Sequence, residues 1–292
     1  GDKYYTNEAF NDSFTSDTGF SILHINARSL QKNIESIRLL LACLKHSFSV
    51  IAVSETWETN DNRDYFSLFG YNLISNPRGS RGGGVALYTK NGLNYKLRAD
   101  LCAMAQNDFE CVFIEIPKLS RGKVIVGCIY RPPDCDLASY NNAFDGLLHK
   151  ITSEKAELFL AGDYNINLLN SEVHAETNNF VNIVFSNSCL PLITRPTRFT
   201  QTSVSLIDNI ISNTSNDNYR AGVLVSDISD HLPVFYISCD CVEPYSDSST
   251  RTYRSVNDNS ISHFADVLSN TNWSDINGLT DVNQRYSCFC SR

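Results

Sequence analysis

Short apolar runs that read as buried strands, each next to a polar motif, most constrain the fold of this chain. The run Val50–Val53 leads to Glu55, and the run Phe159–Ala161 leads to Gly162-Asp163-Tyr164-Asn165. Another run follows directly after Ser229-Asp230-His231. Acids and a histidine at strand ends would share one rim of a sheet. Such a rim is suited to metal-assisted hydrolysis, which needs carboxylates for the cation and donors for the reacting group.

The order of the predicted elements indicates an α/β protein. Phe20–Asn26 and Val50–Val53 read as strands on either side of Leu30–His46, where apolar residues recur at helical spacing. Further strands are predicted at Tyr71–Ile74, Val85–Tyr88, Phe109–Ile116, Val124–Tyr130, Leu158–Ala161, Leu206–Ile211, Val223–Val225 and Val234–Ser238, and further helices at Leu137–Ile151 and Thr177–Asn187. We therefore expect two stacked mixed sheets flanked by helices.

The chain divides into three predicted segments. Residues 1–18 are polar and are expected to form a loose N-terminal head, and residues 19–240 form the α/β domain. Residues 241–292 begin with a polar linker and continue with two short amphipathic segments that carry too little apolar surface for a core. We expect this last segment to be a connector to a further domain, which would make the chain a fragment. No Tyr-x-Asp-Asp polymerase motif occurs in the sequence.

Charge and cysteine content limit the possible classes. The 24 basic and 32 acidic residues give a net charge of −8, which argues against a protein that coats nucleic acid through bulk electrostatics. A local basic rim or bound cations can still reverse the field at an acidic site. The sequence has no apolar run of the ~20 residues needed to span a bilayer, and its N-terminal segment has no signal-peptide pattern. We read the ten cysteines, four of them in two C-x-C pairs, as reduced thiols, and expect an intracellular, nuclear protein with no membrane partner.

Several side chains have the chemistry that phosphate-ester hydrolysis requires. Glu55 suits a hard divalent cation, while Asp163 and Asn165 alternate along one extended segment, where one can orient water and the other can donate to phosphate. His231 can donate to a phosphate oxygen, with Asp208 holding its tautomer. Each motif also has an ordinary interpretation, as a solvated loop charge, a turn or a strand cap. Their joint occurrence in this order favours the catalytic interpretation.

The same order of motifs resembles the endonuclease/exonuclease/phosphatase superfamily over residues 20–240. It is more closely similar to the apurinic-type endonuclease domain of non-LTR retrotransposons. The stretches that carry the resemblance are Ile25-Asn26-Ala27-Arg28-Ser29-Leu30, Ser54-Glu55-Thr56-Trp57, Arg81-Gly82-Gly83-Gly84-Val85-Ala86, Ile129-Tyr130-Arg131-Pro132-Pro133, Ala161-Gly162-Asp163-Tyr164-Asn165, Arg195-Pro196-Thr197-Arg198, Leu206-Ile207-Asp208-Asn209-Ile210 and Ser229-Asp230-His231-Leu232-Pro233. The residues from 254 to 289 also look like the connector that precedes reverse transcriptase in such elements.

The resemblance implies a four-layered α/β sandwich with its site at one edge of two packed sheets. It implies Mg²⁺ or Mn²⁺ as cofactor, held by Glu55 with support from Asn26 and with Asp230 near the metal. The catalytic roles that it implies fall on Asp163 for water activation, Asn165 and Tyr130 for phosphate contacts, His231 for the transition state and Asp208 for orienting the histidine.

One position departs from the related repair endonucleases, which carry an acid two residues after the first Asn. This chain has Arg28 there, which implies a site poorer in carboxylates or an arginine that contacts phosphate, and leaves the number of ions open. Arginines in predicted loops are expected to form a basic rim for duplex DNA, so that Arg131→Ala and Arg198→Ala would weaken binding. The candidate substrate-binding residues are Arg28, Trp57, Arg131, Arg195 and Arg198, with Arg78 and Arg81 in the same rim.

The sequence favours a Mg²⁺-dependent endonuclease that nicks duplex target DNA and leaves a 3′-hydroxyl for reverse transcription. Its expected partners are target DNA and, if the chain is a fragment, a downstream reverse transcriptase domain. A repair-type apurinic endonuclease or exonuclease and a catalytically silent relic of a mobile element are the alternatives. A phosphoinositide phosphatase or a sphingomyelinase is less consistent, because the chain has the Tyr-Arg-Pro-Pro element and no predicted membrane-binding helix.

Overall fold

A computed structural model describes residues 2–14, 19–59, 63–79, 82–104, 109–118, 122–240, 258–271 and 273–290. Arg81 and the predicted polar linker after residue 240 lie outside the described residues. The chain divides into two compact units, Gly1–Asp247 and Ser248–Arg292. Among the described helices, none combines the length and the apolar character needed to cross a bilayer.

The first unit contains both strands and helices. The strands are β1 Lys3–Tyr5, β2 Ser21–Asn26, β3 Val50–Ser54, β4 Tyr71–Asn76, β5 Val85–Lys90, β6 Lys96–Leu97, β7 Glu110–Lys118, β8 Gly122–Tyr130, β9 Glu157–Asp163, β10 Leu190–Pro191, β11 Arg198–Phe199, β12 Val204–Ser205, β13 Asp208–Ser212, β14 Tyr219–Leu224 and β15 Val234–Ser238. The helices are α1 Asn7–Ser13, α2 Leu30–Cys43, α3 Ala99–Met104, α4 Leu137–Ser153 and α5 Ala175–Ser186, with 3₁₀ turns at Arg63–Phe66 and Leu168–Asn170. The second unit contains α6 Asp258–Asn270, α7 Ser274–Asn277 and α8 Val282–Cys290.

Two large mixed sheets pack face to face. One has the strand order β1-β14-β15-β2-β3-β5-β4, the other has the order β10-β13-β9-β8-β7-β6, and β11 and β12 form a separate hairpin. The pairs β2–β3, β8–β9 and β1–β14 are parallel, and the other pairs are antiparallel. The expected α/β class with two mixed sheets flanked by helices is confirmed.

The core is arranged in three buried clusters that separate four layers. Between the sheets, apolar side chains such as Val85, Val126 and Tyr236 interlock. The outer face of the seven-stranded sheet is covered by α1 and α2, whose apolar positions include Ile34 and Ile37. The outer face of the six-stranded sheet is covered by α4 and α5, and Leu101 of α3 belongs to the same buried cluster. Helical spacing of the apolar residues in α2 and α4 thus places one face of each helix on its sheet.

The N-terminal segment differs from the expected loose head. β1 extends the seven-stranded sheet beside β14, and Phe10 of α1 is completely buried. The ring of Phe10 lies 5.1 Å from that of Phe235 in an edge-to-face contact, and Tyr5 contacts the same ring. Burial of three aromatic side chains, Tyr5, Phe10 and Phe14, outweighs the polar character of the residues between them.

The described part of the second unit consists of short helices with mostly exposed side chains. The indole nitrogen of Trp273 donates to the carbonyl of Leu268 at 3.0 Å, and its ring stacks on Phe289 at 5.6 Å between centroids. This packing ties the C-terminal helix of the unit to the chain that precedes it.

Candidate active site

Two β-α-β units bring their polar residues to the same end of the molecule. In β2-α2-β3, Asn26 is paired with Ser54, and Glu55 follows directly. In β8-α4-β9, Tyr130 is paired with Asp163. Because parallel strands joined by a helix end at the same edge, each unit presents its polar side chains at one rim. Because the two sheets pack face to face, the polar rims of the two units lie next to each other.

A third strand adds an acid to this rim. Asp208, the first residue of β13, is paired with Asp163 in antiparallel register. At Gly162, one residue before Asp163, the neighbouring strand leaves no room for a side chain. A Cβ built there would lie 2.0 Å from the carbonyl oxygen of Ile129. The Gly-Asp pair thus lets the neighbouring backbone approach closely just before the buried carboxylate.

Asn26 connects the acids of the two sheets. Its Nδ2 donates to Glu55 Oε1 at 3.0 Å and to Asp163 Oδ2 at 2.8 Å. Its Oδ1 accepts the backbone N–H of Arg28 at 3.0 Å, which fixes the orientation of the amide. Asn26 therefore positions the carboxylates through its nitrogen. The amide oxygen keeps a second lone pair, and support of a metal by Asn26 stays a prediction.

His231 and Asp208 form a buried pair beside Asp163. Nδ1 of His231 lies 2.9 Å from Asp208 Oδ2 and 3.2 Å from Oδ1, and Thr197 Oγ1 donates to Oδ2 at 2.8 Å. Burial alone would lower the pKa of His231, but the charge of Asp208 and the hydrogen bond to it outweigh burial and raise this pKa to about 9. Burial likewise opposes ionisation of Asp208, yet the positive charge of His231 brings the pKa of that carboxyl below its usual value. At neutral pH the pair is an imidazolium and a carboxylate.

The pKa of Asp163 is shifted in the direction opposite to that of Asp208. Its side chain is completely buried, and burial together with the negative charge of Asp208 raises its pKa to about 7, although His231 acts in the other direction. The backbone N–H of Asn165 donates to Asp163 Oδ1 at 2.9 Å. In the metal-free site this carboxyl group therefore holds a proton more readily than an ordinary Asp, and a cation bound beside it would lower its pKa.

The acids fit a hard divalent cation. Ligand atoms of Glu55, Asp163 and His231 all lie within 4.8 Å of one another, a group found among the described residues. Because His231 is protonated, the two carboxylates are the chemically suitable ligands of this group. Carboxylate oxygens are what Mg²⁺ and Mn²⁺ prefer, and Mg²⁺ commonly uses one or two of them together with water and substrate phosphate.

Asp230 is engaged by arginines. Arg28 NH1 donates to Asp230 Oδ1 at 2.7 Å, and Arg198 Nε donates to Oδ2 at 2.8 Å. Although Asp230 is partly buried, these two hydrogen bonds lower the pKa of its carboxyl to about 2. Both oxygens therefore have cationic donors, and Asp230 is absent from the carboxylate group around Glu55. A position of Asp230 near the metal stays a prediction.

Arg131 is a buried residue, which corrects its expected place in a basic rim. It is only 5% exposed, NH1 donates to the carbonyl of Pro132 at 2.8 Å, and the guanidinium lies 5.7 Å from the ring centroid of Tyr140. Its backbone N–H donates to the carbonyl of Asp163, and its own carbonyl accepts Asn165 Nδ2 at 2.8 Å. Arg131 and Asn165 thus hold the end of β9. A contact between Asn165 and phosphate stays a prediction.

The remaining predicted residues lie around the site or at its margin. Tyr130 is buried, and burial raises the pKa of its phenol. The guanidinium of Arg78 lies over the ring of Tyr130 and forms an ion pair with Glu110. The indole of Trp57 donates to Glu55 Oε2 at 3.3 Å. Arg195 is exposed, and its backbone N–H donates to Asp2.

Backbone strain is concentrated at this rim. Seven non-glycine residues of the described chain have a positive φ, and five of them belong to the site: Arg28, Ser29, Glu55, Trp57 and Asn165. Such conformations cost of order 1–3 kcal/mol each for most residue types and tend to cluster where function requires them. At Glu55 the strained turn is held because its carbonyl accepts the N–H of Ser29, and the next N–H donates to Gly84.

Two residues of the site were not identified as functional from the sequence. Thr197 donates to Asp208, and His24 lies completely buried with Nδ1 3.9 Å from Asp208 Oδ1 and Nε2 3.1 Å from Ser54 Oγ. Burial lowers the pKa of His24 to about 4, so its ring is neutral. The available signal for His24 was its position inside an otherwise apolar strand, where a polar residue needs a partner.

A family model described as Endonuclease/Exonuclease/phosphatase family matches residues 19–231. A search of the curated proteins finds no match. Among solved structures, the endonuclease domain of TRAS1, a telomere-specific non-LTR retrotransposon, aligns with a TM-score of 0.60 and 16% identity over 76% of this chain and 99% of that domain. An AP endonuclease from Archaeoglobus fulgidus aligns at 0.57 with 15% identity, over 76% of this chain and 100% of that one.

A 3′ phosphatase from Neisseria bound to a product DNA hairpin also aligns, at a TM-score of 0.57 and 16% identity, over 74% of this chain and 98% of that one. At such low identity these similarities establish the fold alone. The family match covers both β-α-β units and every residue of the rim from Asn26 to His231. This chain therefore belongs to the endonuclease/exonuclease/phosphatase family.

Proposed function

We propose that this protein is a divalent-metal-dependent DNA endonuclease that nicks one strand of a duplex target and leaves a 3′-hydroxyl. The observation that carries the proposal is the junction of Glu55 and Asp163, which belong to different sheets and share the amide of Asn26. The cationic His231–Asp208 pair lies beside it. Carboxylates for a cation, a carboxylate that can take a proton from water and a cationic donor are the three groups that phosphodiester hydrolysis needs.

Asp163 is the group that accepts a proton from the attacking water. Its carboxylate is held by Asn26 and by the backbone N–H of Asn165. The water oxygen bonds to phosphorus while the P–O3′ bond breaks, and O3′ leaves as the hydroxyl after taking a proton from solvent. A divalent cation at Glu55 and Asp163 would supply Lewis-acid stabilisation of the charge on the phosphate.

His231 stabilises the charge that develops on the phosphate. Because Nδ1 points to Asp208, the opposite nitrogen, Nε2, is left to donate to a non-bridging oxygen. The raised pKa of His231 keeps that donor protonated at neutral pH. Charged donors in a water-poor site form stronger hydrogen bonds than neutral ones, and a preorganised donor contributes about 3 kcal/mol in comparable oxyanion sites.

The assignment to a mobile element rests on two supports. The Asn-Ala-Arg-Ser-Leu, Tyr-Arg-Pro-Pro and Pro-Thr-Arg stretches resemble the retrotransposon branch, and the TRAS1 endonuclease domain has the same fold. On this proposal the substrate is chromosomal duplex DNA, the protein acts in the nucleus, and the nick primes synthesis by a reverse transcriptase domain downstream. Mg²⁺ or Mn²⁺ is the proposed ion.

The test is cleavage of intact supercoiled plasmid, compared with a linear duplex that contains one abasic site. We expect wild-type protein with Mg²⁺ to convert the plasmid to the nicked form, and a DNA polymerase to extend the nick directly. Asp163→Asn should lower the nicking rate by at least about a hundredfold. Asp217→Asn is the matched control, because Asp217 is exposed and follows the end of β13 opposite to Asp208.

Two results would replace the proposal. Cleavage confined to the abasic duplex would identify a repair-type endonuclease, and the AP endonuclease from Archaeoglobus fulgidus shares the fold of this chain. No cleavage of either DNA by folded protein would identify a catalytically silent relic.

A further inference from the structure

The Asp230 carboxylate at the edge of the site is held by two guanidinium groups. Arg28 lies at the start of the segment before α2, Arg198 begins β11, and the two arrive from different parts of the chain. Their donors reach different oxygens, at 2.7 and 2.8 Å. Charge-assisted hydrogen bonds of this length are among the strong polar contacts in proteins.

This pairing is built into the local backbone. Arg28 has a φ of 40°, and its N–H donates to the amide oxygen of Asn26. Ser229, next to Asp230, donates through Oγ to the carbonyl of Asn26. Asn26 therefore fixes both partners of the Arg28–Asp230 pair as well as the two acids of the cation site.

Asp230 faces nearby positive charge, as a carboxylate bound to a metal ion does. A carboxylate that ligates a divalent ion faces a fixed positive charge, and here two arginines supply that charge. A cation that approached Asp230 would have to displace one arginine or lie against it, at the cost of like-charge repulsion. Asp230 is thus an unfavourable cation ligand, whereas Glu55 and Asp163 are two acids joined by a neutral amide.

We propose that the active site holds a single divalent ion, at Glu55 and Asp163, and that Arg28 takes the place of a second ion at Asp230. This inference rests on the proposed metal-dependent function. The guanidinium of Arg28 is half exposed and lines a cleft of about 550 Å³ together with Lys32 and Trp57. Its free N–H groups can therefore supply to a DNA phosphate the positive charge that a second ion would supply.

The test is Mn²⁺ binding to the whole chain in the absence of DNA, counted by electron paramagnetic resonance and by calorimetry. We expect one ion per wild-type chain. Asp230→Asn should still bind one ion, with a dissociation constant changed by less than about threefold. Glu55→Gln should weaken binding by more than about a hundredfold, beyond the usual effect of residues that only orient a ligand.

Arg28→Asp tests the substitution directly, because it removes one cation and places a second carboxylate beside Asp230. We expect it to bind two ions, whereas Arg28→Lys, which keeps the charge, should bind one. Lys96→Asp, on the exposed strand β6, makes the same change of charge elsewhere and should bind one. Circular dichroism confirms that each variant is folded.

Two ions on the wild-type chain, with one lost in Asp230→Asn, would overturn the single-ion inference while leaving the proposed function intact. Folded Arg28→Asp that binds only one ion would overturn the role of Arg28 as a replacement for an ion. A wild-type chain that binds no Mn²⁺ would instead overturn the proposed metal-dependent function, and this inference with it.

Discussion

Replacing Asp208 by Asn should remove most of the positive charge from His231. Asp208 is the largest cause that raises the pKa of His231, and burial acts in the opposite direction. Without the carboxylate we expect the pKa to fall from about 9 to the ordinary value of 6.5 or below. At 1.36 kcal/mol per pH unit, this difference corresponds to about 3 kcal/mol of interaction between the two side chains. Both His231 and Asp208 are almost fully buried, so solvent screening removes little of this interaction.

The assay is nuclear magnetic resonance of protein labelled with ¹⁵N at histidine, titrated from pH 5 to 10 in the presence of a chelator. His149, which is exposed on α4, serves as an internal reference, and Asp217→Asn serves as the control variant. A His231 signal that still titrates near pH 9 in Asp208→Asn would refute the reasoning, because it would mean that Asp163 and Asp230 suffice to hold the charge.

The same pair predicts a pH dependence of stability. The folded-state pKa of His231 lies above its unfolded value, so the folded chain binds the proton more tightly. The stabilisation is therefore complete below about pH 6.5 and is lost as the pH rises through about 9. In urea unfolding without metal, the wild-type free energy of unfolding should fall over this range by more than that of Asp208→Asn.

Three further predictions concern the frame of the site. Gly162→Ala should lower the free energy of unfolding by about 1–3 kcal/mol, because its Cβ would clash with the carbonyl of Ile129. Gly146→Ala in α4, where a Cβ would have nothing within 4 Å, should raise the free energy of unfolding slightly. Equal effects of the two substitutions in urea unfolding would contradict this argument. Arg131→Met should destabilise the fold by about 1–3 kcal/mol yet leave the salt dependence of DNA binding unchanged, because Arg131 is buried. Arg195→Ala, at an exposed position, should reduce that salt dependence. A reduced salt dependence in Arg131→Met would instead show that Arg131 contacts DNA. Glu154 accepts hydrogen bonds from Arg98 that lower its pKa to about 2, so the stabilisation by this pair is present above about pH 4.5 and is lost as the pH falls towards 2. The urea midpoints at pH 5 and pH 3 should therefore differ less in Glu154→Gln than in wild type. Identical differences would exclude this pair as a source of acid sensitivity.

The sheets could be predicted because their strands are continuous apolar runs. Buried strands on both faces, such as β3 and β8, leave a clear signal in sequence, and the helices between them follow the 3.6-residue period. Strand β1 and helix α1 gave no such signal, since only Tyr5, Phe10 and Phe14 of this polar segment are buried. Their fit depends on contacts with Phe235, more than 200 residues away in the chain.

The types of residue at the site could also be predicted, but their contacts could not. Spacing placed Glu55, Asp163 and His231 at strand ends, and the fold brings their ligand atoms together. An arginine is usually exposed, so the burial of Arg131 against the ring of Tyr140 could not be inferred from its own identity. Nor could the two arginines on Asp230 be foreseen, because Arg28 and Arg198 meet only through the packing of the loops.

The most direct test of the proposed chemistry is the rate of plasmid nicking as Mg²⁺ is added, measured for wild type, Glu55→Gln and the control Glu8→Gln on the exposed face of α1. The proposal predicts no nicking in chelator, a rate that saturates with Mg²⁺ in wild type and in Glu8→Gln, and a loss of at least about a hundredfold in Glu55→Gln at every Mg²⁺ concentration. Nicking by wild type that persists in chelator, or a Glu55→Gln rate equal to that of wild type, would contradict a metal-dependent hydrolase centred on Glu55.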